Sequence, residues 1–370
     1  MTIRFSSHSR FRLAPRAGLT VIYRRYLNHD ATKHTSAIPG SARLKTVDLS
    51  GLRSRELSET GALLRACEED GFFYLDIRRV NNAQMIKDWM LIQSLMQPWF
   101  ARPFHDKMRY HCGTFLHGYT PVGTYAGLLE NSKDGNESIK ITDVARRVDP
   151  PILPDLYLEN RALLDRFMDG CRDITISLLS SLSDSLDLRE SSRFEQSHRS
   201  YMPANTCLNL FNYPKSTRGG QFGQNKHTDN GSLTLLFANQ QGLEILSPRT
   251  SSWDRVLPRD GHVVVNVGDT LRFLSGNRFH SSIHRAAPIF EPSQQGRLVA
   301  GFFLRAEDHC MIEDNEGSKM TARQWHDHKY DIYKSLHSIQ RTSTVLTGGM
   351  EEHIDNAKRS QSAAIETREG

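Results

Sequence analysis

The chain has 370 residues, 38% of them hydrophobic and 24% charged, which is enough to bury a substantial core in one large domain or two ordinary ones. No segment approaches the roughly 18 consecutive apolar residues of a transmembrane helix. The net charge of +5 arises at the N-terminus, because residues 1–29 contain six arginines and no acid. Without them the net charge is −1, which argues against a basic nucleic-acid-binding face.

The N-terminal segment, residues 1–43, is predicted to be a leader and linker. Its arginine- and serine-rich composition is typical of a mitochondrial transit peptide, although a disordered basic tail or an upstream start codon would look the same. We expect a cytoplasmic protein, or a mitochondrial one if residues 1–29 act as a transit peptide. A reducing compartment agrees with five scattered cysteines that form no CxxC pair: Cys67, Cys112, Cys171, Cys207 and Cys310.

The first half of the body is predicted to be mainly helical. Residues 47–77 are predicted to form a short strand, a helix and a buried strand, FFYL. Residues 82–97 are predicted to be helical, and residues 111–150, rich in Gly, Pro, Asn and Asp, to be mainly loop. The strongest helix is predicted over residues 157–183, where apolar side chains recur every three or four positions.

From about residue 200 the pattern changes to short apolar runs separated by Gly, Pro, Asn or Asp. Such spacing indicates a β-sandwich or barrel. We therefore predict a double-sheet β core over residues 199–310, preceded by the helical region over 44–198. A C-terminal helix is predicted within residues 311–345, and a mobile polar tail over 346–370. The fold class is mainly β with flanking helices.

The segment HTD, residues 227–229, is the first candidate for a metal site. Residues two apart in an extended segment point the same way, so His227 and Asp229 could bind one ion. A ferrous centre that activates oxygen needs two histidines and one carboxylate on one face, with other positions open. The best third ligand is His284, which lies 55 residues beyond Asp229 at the end of another predicted strand.

This pattern is weak by itself, because the chain contains 16 histidines. A polar turn before a buried strand is the alternative interpretation of residues 227–229. A second histidine–aspartate pair, His353 and Asp355, is predicted to be solvated surface in the polar tail. His280 is a possible competitor for the third ligand, although it lies in a predicted turn.

Arg297 opens the last predicted strand of the core, 13 residues after His284. Its guanidinium offers a planar fork of donors that matches a carboxylate. Near a metal in an apolar barrel it would bind the far end of a dicarboxylate such as 2-oxoglutarate, whose near end can chelate iron. Without that context, Arg297 would be interpreted as a surface arginine at a strand end.

Taken in order, these motifs resemble the isopenicillin N synthase-like family of Fe(II)/2-oxoglutarate-dependent dioxygenases. The core motifs are HTD, GLEIL, a lone tryptophan, VVVNVGDTLRFLSG, SSIHR and an arginine opening a strand that ends in FF. Upstream, DGFFYLDI, GYTPVG and NYP also match. The resemblance covers about residues 44–335. It implies a double-stranded β-helix, or jelly-roll, core.

The resemblance also implies roles for individual residues. His227, Asp229 and His284 would bind Fe(II), and Arg297 and Tyr213 would bind 2-oxoglutarate. Alternate residues of one strand face the same side, and the family lines its pocket with that face. The candidates for substrate contact are therefore Asn209, Phe211 and Phe303. Two further positions, Trp253 and Asp269, are interpreted as structural.

Two departures from the family pattern concern the co-substrate. The serine usually found two residues after the arginine is Val299, and losing a hydrogen bond to a charged group costs on the order of 1.5–3 kcal/mol. The asparagine usually found two positions before Tyr213 is Phe211, with Asn212 shifted by one. Two alternatives therefore remain. One is an iron oxidase of the same fold that does not use 2-oxoglutarate, and the other is a non-catalytic binding protein.

The activity implied is oxidation of a small organic molecule by hydroxylation, desaturation or ring closure, with 2-oxoglutarate and dioxygen as co-substrates. Aromatic and apolar pocket candidates favour such a substrate over a peptide or nucleic acid. Because this side of the family commonly serves secondary metabolism, a natural-product intermediate is expected. No nucleic-acid or membrane partner is expected.

Overall fold

The computed structural model describes residues 40–79, 83–113, 117–148, 153–214, 223–287 and 296–351. Most of the predicted leader and the pair His353 and Asp355 lie outside these residues, so what the sequence suggests for them stays a prediction. No helix within the described ranges has the length and apolar character needed to cross a membrane.

Two β-sheets pack face to face and form the core. The strands are β1 Lys45–Asp48, β2 Phe72–Asp76, β3 Gly118–Thr120, β4 Glu137–Thr142, β5 Cys207–Tyr213, β6 Gln224–His227, β7 Leu233–Ala238, β8 Leu243–Leu246, β9 Trp253–Val256, β10 His262–Val267, β11 His284–Ala286, β12 Arg297–Leu304, β13 Met311–Glu313 and β14 Lys319–Thr321. The larger sheet has the strand order β1-β2-β10-β7-β12-β5-β4-β3, and the smaller β6-β11-β8-β9, while β13 and β14 pair with each other separately. Apolar side chains of both large sheets, among them Phe72, Val264 and Ile245, share one cluster.

Helices cover the outer face of the larger sheet. The ring of Phe237 on β7 lies 4.9 Å from that of Phe167 and 6.2 Å from that of Trp89, between centroids. The inner face is thereby left to the smaller sheet and the cavity between them. The helices are Leu49–Arg53, Leu57–Glu69, Ala83–Phe100, Phe104–Met108, Asp143–Val148, Asp155–Glu159, Arg161–Ser185, Asp269–Leu274, Ala322–Lys334 and His337–Thr342.

The two long helices of the first half were predicted correctly. They span Ala83–Phe100 and Arg161–Ser185. Gly170, inside the second, does more than lower helix propensity. A Cβ atom added there would lie 2.4 Å from the Sδ atom of Met85 in the first helix. The glycine therefore allows the two helices to pack closely.

The prediction of mainly loop over residues 111–150 is wrong at β3 and from β4 onward. Both strands extend the larger sheet, and the helix Asp143–Val148 follows β4 directly. All six side chains of β4, ESIKIT, are buried although four of them are polar. Burial on both faces removes the alternation of polar and apolar residues by which a half-buried strand is recognised.

Residues near both ends of the described chain are more ordered and more buried than the sequence indicates. The C-terminal helix begins with a capping box, in which Thr321 and Gln324 each accept a backbone hydrogen bond from the other. Beyond it, Leu346 and Met350 are buried, so the prediction of a mobile tail from 346 is wrong through residue 351. Residues 352–370 lie outside the described ranges. At the other end, Ala42 of the predicted linker is also buried.

Candidate active site

His227, Asp229 and His284 meet in the cavity between the two sheets. His227 ends β6, and His284 begins β11 directly opposite it in the antiparallel register. His284 therefore opens a strand, whereas the sequence pattern predicted it at the end of one. Oδ1 of Asp229 lies 3.9 Å from Nε2 of His227 and 3.8 Å from Nε2 of His284. The three ligand atoms lie within 4.8 Å of one another, so a single metal ion could bind all three.

Backbone carbonyls orient both imidazole rings. Nδ1 of His227 lies 2.8 Å from the carbonyl oxygen of Asn225, and Nδ1 of His284 lies 3.1 Å from that of Ser282. Because a carbonyl oxygen only accepts, Nδ1 must carry the proton, and Nε2 presents a lone pair toward Asp229. Burial, together with the neighbouring His284, lowers the pKa of His227 to about 3, so this ring is neutral at neutral pH.

The larger sheet holds the carboxylate of Asp229 in place. Its Oδ2 atom accepts hydrogen bonds from Oγ1 of Thr234 at 2.5 Å and from Nδ2 of Asn266 at 2.8 Å. Although burial raises the pKa of Asp229, the adjacent imidazoles and these hydrogen bonds outweigh it and lower the pKa below its usual value. Oδ1 remains turned toward the histidines. Two imidazoles and one oriented carboxylate form a donor set that suits Fe(II).

Arg297 supplies a buried positive charge in the same cavity. It is 5% exposed, and among the described residues its one hydrogen bond runs from Nη1 to the carbonyl oxygen of Gly242 at 3.2 Å, while its buried Nε has no partner there. Tyr213 lies opposite on β5, with its ring centroid 5.0 Å from the guanidinium carbon. Because a buried cation without an acidic partner is unfavourable, this arrangement fits a ligand that brings its own carboxylate.

Gly242 makes room for this arginine. Its φ of +123° lies in a region that residues with a Cβ rarely adopt, and an added Cβ would lie 3.1 Å from Nη1 of Arg297. Burial lowers the pKa of Arg297 from its ordinary value, but an arginine stays charged at neutral pH.

The three residues predicted for substrate contact lie on the inner face of β5 and β12 and line the cavity. The rings of Phe211 and Phe303 lie 6.5 Å apart between centroids. Val299 faces Phe211 across the two strands, at the position of the family's serine. Asn212 does not replace the family's asparagine, because its side chain points to the other face and donates to Oε1 of Glu137.

A buried ion pair connects the C-terminal helix to the HTD turn. Lys329 is 4% exposed, and its ammonium donates to Oγ1 of Thr228 at 2.5 Å and to the fully buried carboxylate of Asp269. The backbone N–H of Thr228 donates to the carbonyl oxygen of Leu346 at 3.2 Å. The residue between two candidate ligands is therefore fixed by the chain that follows the β core.

We expect Lys329→Met to lower the free energy of unfolding by about 3–5 kcal/mol, because it leaves the carboxylate of Asp269 buried without its cation. Urea unfolding measures the change. Lys319→Met, which removes the exposed partner of Glu313, serves as the control and should change stability by less than about 1 kcal/mol. Equal effects of the two substitutions would show that the buried pair is not a structural element.

Several lining residues were not identified from the sequence, although some of them left a weak signal. Arg305 lies eight residues after Arg297 and continues its every-second-residue spacing, and two tyrosines three positions apart share a helix face. Lys140 lies on β4, which was predicted as loop. These residues include Lys140, Arg305, Lys329, Tyr330 and Tyr333. His280, the competitor considered for the third ligand, is not among the described residues that line the cavity.

Comparison with known proteins identifies the family of this chain. Residues 204–306 match the sequence profile of the 2OG-Fe(II) oxygenase superfamily. A 2-oxoglutarate-dependent dioxygenase of Gibberella zeae is 37% identical over 317 residues, which cover 85% of this chain and 95% of that protein. The 2-oxoglutarate-dependent dioxygenase frbH of Dothideomycetidae sp. is 40% identical over 315 residues, covering 85% of this chain and 98% of frbH.

Among solved structures, a full-length protein of Neurospora crassa in complex with alpha-KG has a similar fold. The TM-score is 0.66 at 20% identity, over 80% of this chain and 97% of the Neurospora crassa chain. This similarity confirms the predicted jelly-roll architecture. Given the extent and identity of the two sequence matches, this chain belongs to the 2OG-Fe(II) oxygenase superfamily.

Proposed function

We propose that this chain is an oxygenase that binds Fe(II) through His227, Asp229 and His284 and binds the distal carboxylate of 2-oxoglutarate through Arg297, assisted by Tyr213. The observation that carries the proposal is that three ligand atoms within 4.8 Å of one another share a cavity with a buried arginine that lacks an acidic partner among the described residues. The relatives that are named 2-oxoglutarate-dependent dioxygenases support the same assignment.

When bound, iron and 2-oxoglutarate supply the oxidation of an organic substrate by dioxygen, with 2-oxoglutarate converted to succinate and carbon dioxide. The protein positions the reactants. The carbonyl oxygens of Asn225 and Ser282 direct Nε2 of each histidine, and Arg297 fixes the orientation of the co-substrate. Phe211 and Phe303 give the cavity an apolar wall that excludes water from the substrate side.

Val299 weakens this co-substrate site without removing it. Relative to serine it lacks one hydroxyl donor, a loss on the order of 1.5–3 kcal/mol, while the guanidinium of Arg297 remains. We therefore favour use of 2-oxoglutarate over the oxidase that does not need it. The substrate is a small organic molecule, a natural-product intermediate, and the outcome is hydroxylation, desaturation or ring closure.

Turnover measurements test this function. Purified protein with Fe(II) should consume dioxygen and form succinate only when 2-oxoglutarate is present. Both rates should be low without an organic substrate and should increase when an accepted substrate is added. Oxygen uptake that is independent of 2-oxoglutarate would identify the alternative oxidase. Absence of both iron binding and turnover would identify a binding protein.

The hydrogen bonds to Asp229 provide a separate prediction. We expect Thr234→Val, which removes one donor while preserving side-chain shape, to weaken metal binding about 10- to 100-fold, because such supporting hydrogen bonds orient the ligand. Titration of the protein with Fe(II) or Co(II) measures the affinity. Thr250→Val, at an exposed position, is the matched control, and equal affinities of the two variants would contradict a role for Thr234.

A further inference from the structure

Asn209 is a buried polar residue on the inner face of β5, where it lines the cavity. The residue is 8% exposed. Its Oδ1 atom is buried and has no hydrogen-bond partner among the residues that the structure describes. Because the large majority of buried polar side-chain atoms in folded proteins are hydrogen-bonded, this atom requires an explanation.

Asn266 provides a comparison within the same cavity. It is 3% exposed, and its Nδ2 atom donates to Oδ2 of Asp229 at 2.8 Å. A buried acceptor without a donor destabilises the folded protein, because the atom gives up its hydrogen bonds to water and gains none. Asn209 therefore lowers stability unless a ligand supplies an N–H or O–H group. The carboxamide can present its oxygen to such a ligand, because rotation about its last side-chain bond exchanges oxygen and nitrogen.

An aromatic wall borders the amide of Asn209. Gly301 lies directly opposite Asn209 in the register of β5 and β12. A Cβ atom added at Gly301 would lie 2.8 Å from Cε2 of Phe303 and 3.5 Å from Cε2 of Phe211. Both rings therefore close over the backbone next to Asn209, and the glycine makes room for them. The same part of the cavity offers an apolar surface and an unsatisfied acceptor.

This wall extends from Asn209 toward the metal cluster and away from the co-substrate site. Phe303 pairs with Thr234 on β7, whose hydroxyl donates to the carboxylate of the candidate metal ligand. In the other direction along β12, Arg297 lies four residues from Gly301, a span of about 13 Å. A 2-oxoglutarate molecule bound to Arg297 therefore leaves the amide of Asn209 to another molecule, which is the organic substrate.

Resting on the function proposed above, we propose that the substrate carries a neutral hydroxyl or amide group whose O–H or N–H donates to Oδ1 of Asn209, and an apolar body that packs on Phe211 and Phe303. Asn209 is then a specificity-determining residue. A substrate that lacks the donor leaves the acceptor unsatisfied, so it binds less tightly than one that has it.

The stability of the protein without substrate tests whether the acceptor is unsatisfied. Asn209→Leu replaces the amide by an apolar side chain of similar shape. In protein loaded anaerobically with Fe(II) and 2-oxoglutarate, it should raise the melting temperature by about 1–4 °C, because no acceptor is left without a donor. Asn266→Leu, which breaks an existing hydrogen bond, should lower the melting temperature. An unchanged or lower melting temperature in Asn209→Leu would show that the amide has a partner without substrate, and would overturn the proposal.

Binding of matched probes tests the substrate class. Phenylpropanol is compared with its methyl ether, and phenylpropionamide with its N,N-dimethyl derivative, by calorimetric titration of the same loaded protein. The first member of each pair keeps a donor that the second lacks. We expect the donor to tighten binding by about 3- to 10-fold in at least one pair, and Asn209→Leu to remove that preference. A preference that persists in Asn209→Leu arises from the bulk of the added methyl groups and would contradict the proposal.

Two controls accompany the titrations. Asn239→Leu changes an exposed asparagine and should keep the preference of the unmodified protein. The visible absorption of the iron–2-oxoglutarate chelate, recorded on the same samples, reports the proposed function. Protein that shows the absorption but binds no probe, or binds both members of each pair equally, would overturn the substrate inference alone. Protein that lacks the absorption but retains a donor preference dependent on Asn209 would support this site and contradict the proposed function.

Discussion

Replacement of His227 by alanine is expected to remove iron binding and substrate oxidation together. The structure offers three protein ligands in one cluster, and the residual pair, Asp229 and His284, cannot hold a facial site. For structural zinc, roughly 10–16 kcal/mol of binding free energy is divided among four ligands. On that scale one ligand is worth about 3 kcal/mol, so affinity should fall by a hundredfold or more.

The measurement is a titration of His227→Ala with Fe(II), followed by a turnover assay at saturating 2-oxoglutarate. His105→Ala is a suitable control, because His105 is an exposed histidine whose side chain is 81% accessible. We expect that control to bind iron as the unmodified protein does. Normal iron affinity in His227→Ala would exclude His227 from the metal site.

The second large effect is expected at Arg297. A carboxylate paired with a guanidinium through two charge-assisted hydrogen bonds, each about 1.5–3 kcal/mol, loses both when the side chain becomes apolar. Arg297→Met should therefore raise the dissociation constant of 2-oxoglutarate by on the order of a hundredfold to ten-thousandfold. The dissociation constant for Arg297→Lys should lie between those of the unmodified protein and Arg297→Met, because an ammonium keeps the positive charge but lacks the paired donors of a guanidinium.

Anaerobic titration of the iron-loaded protein with 2-oxoglutarate measures these constants without turnover. Arg341→Met changes an arginine that is 69% exposed and should leave the affinity unaltered. Iron affinity should also stay normal in Arg297→Met, which separates the co-substrate site from the metal site. If Arg297→Met binds 2-oxoglutarate as tightly as the unmodified protein does, Arg297 does not bind the co-substrate.

The sequence was sufficient to predict the family and the fold class. The strong periodicity over residues 157–183 and the short apolar runs after residue 200 each correspond to observed elements. The family assignment rested on the order of several motifs, since His227 and Asp229 alone could equally form a polar turn. No periodicity could show that His284 pairs directly with His227, because strand pairing between distant segments depends on the whole sheet.

The remaining parts of the site could not be predicted because their signals were hidden by burial. β4 carries Lys140 into the cavity, yet its polar composition and complete burial made it look like loop. In the sequence, Lys329 is indistinguishable from an exposed helix lysine, because its partner Asp269 lies 60 residues away in the chain. Leu346 and Met350 were predicted as part of a polar tail, although they are buried against the body.

Anaerobic addition of Fe(II) and 2-oxoglutarate to the purified protein tests the central claim most directly. If His227, Asp229 and His284 hold iron with open positions, and Arg297 orients the co-substrate, the chelate should form and give its visible charge-transfer absorption. Iron that binds without producing the absorption when 2-oxoglutarate is added would contradict the account.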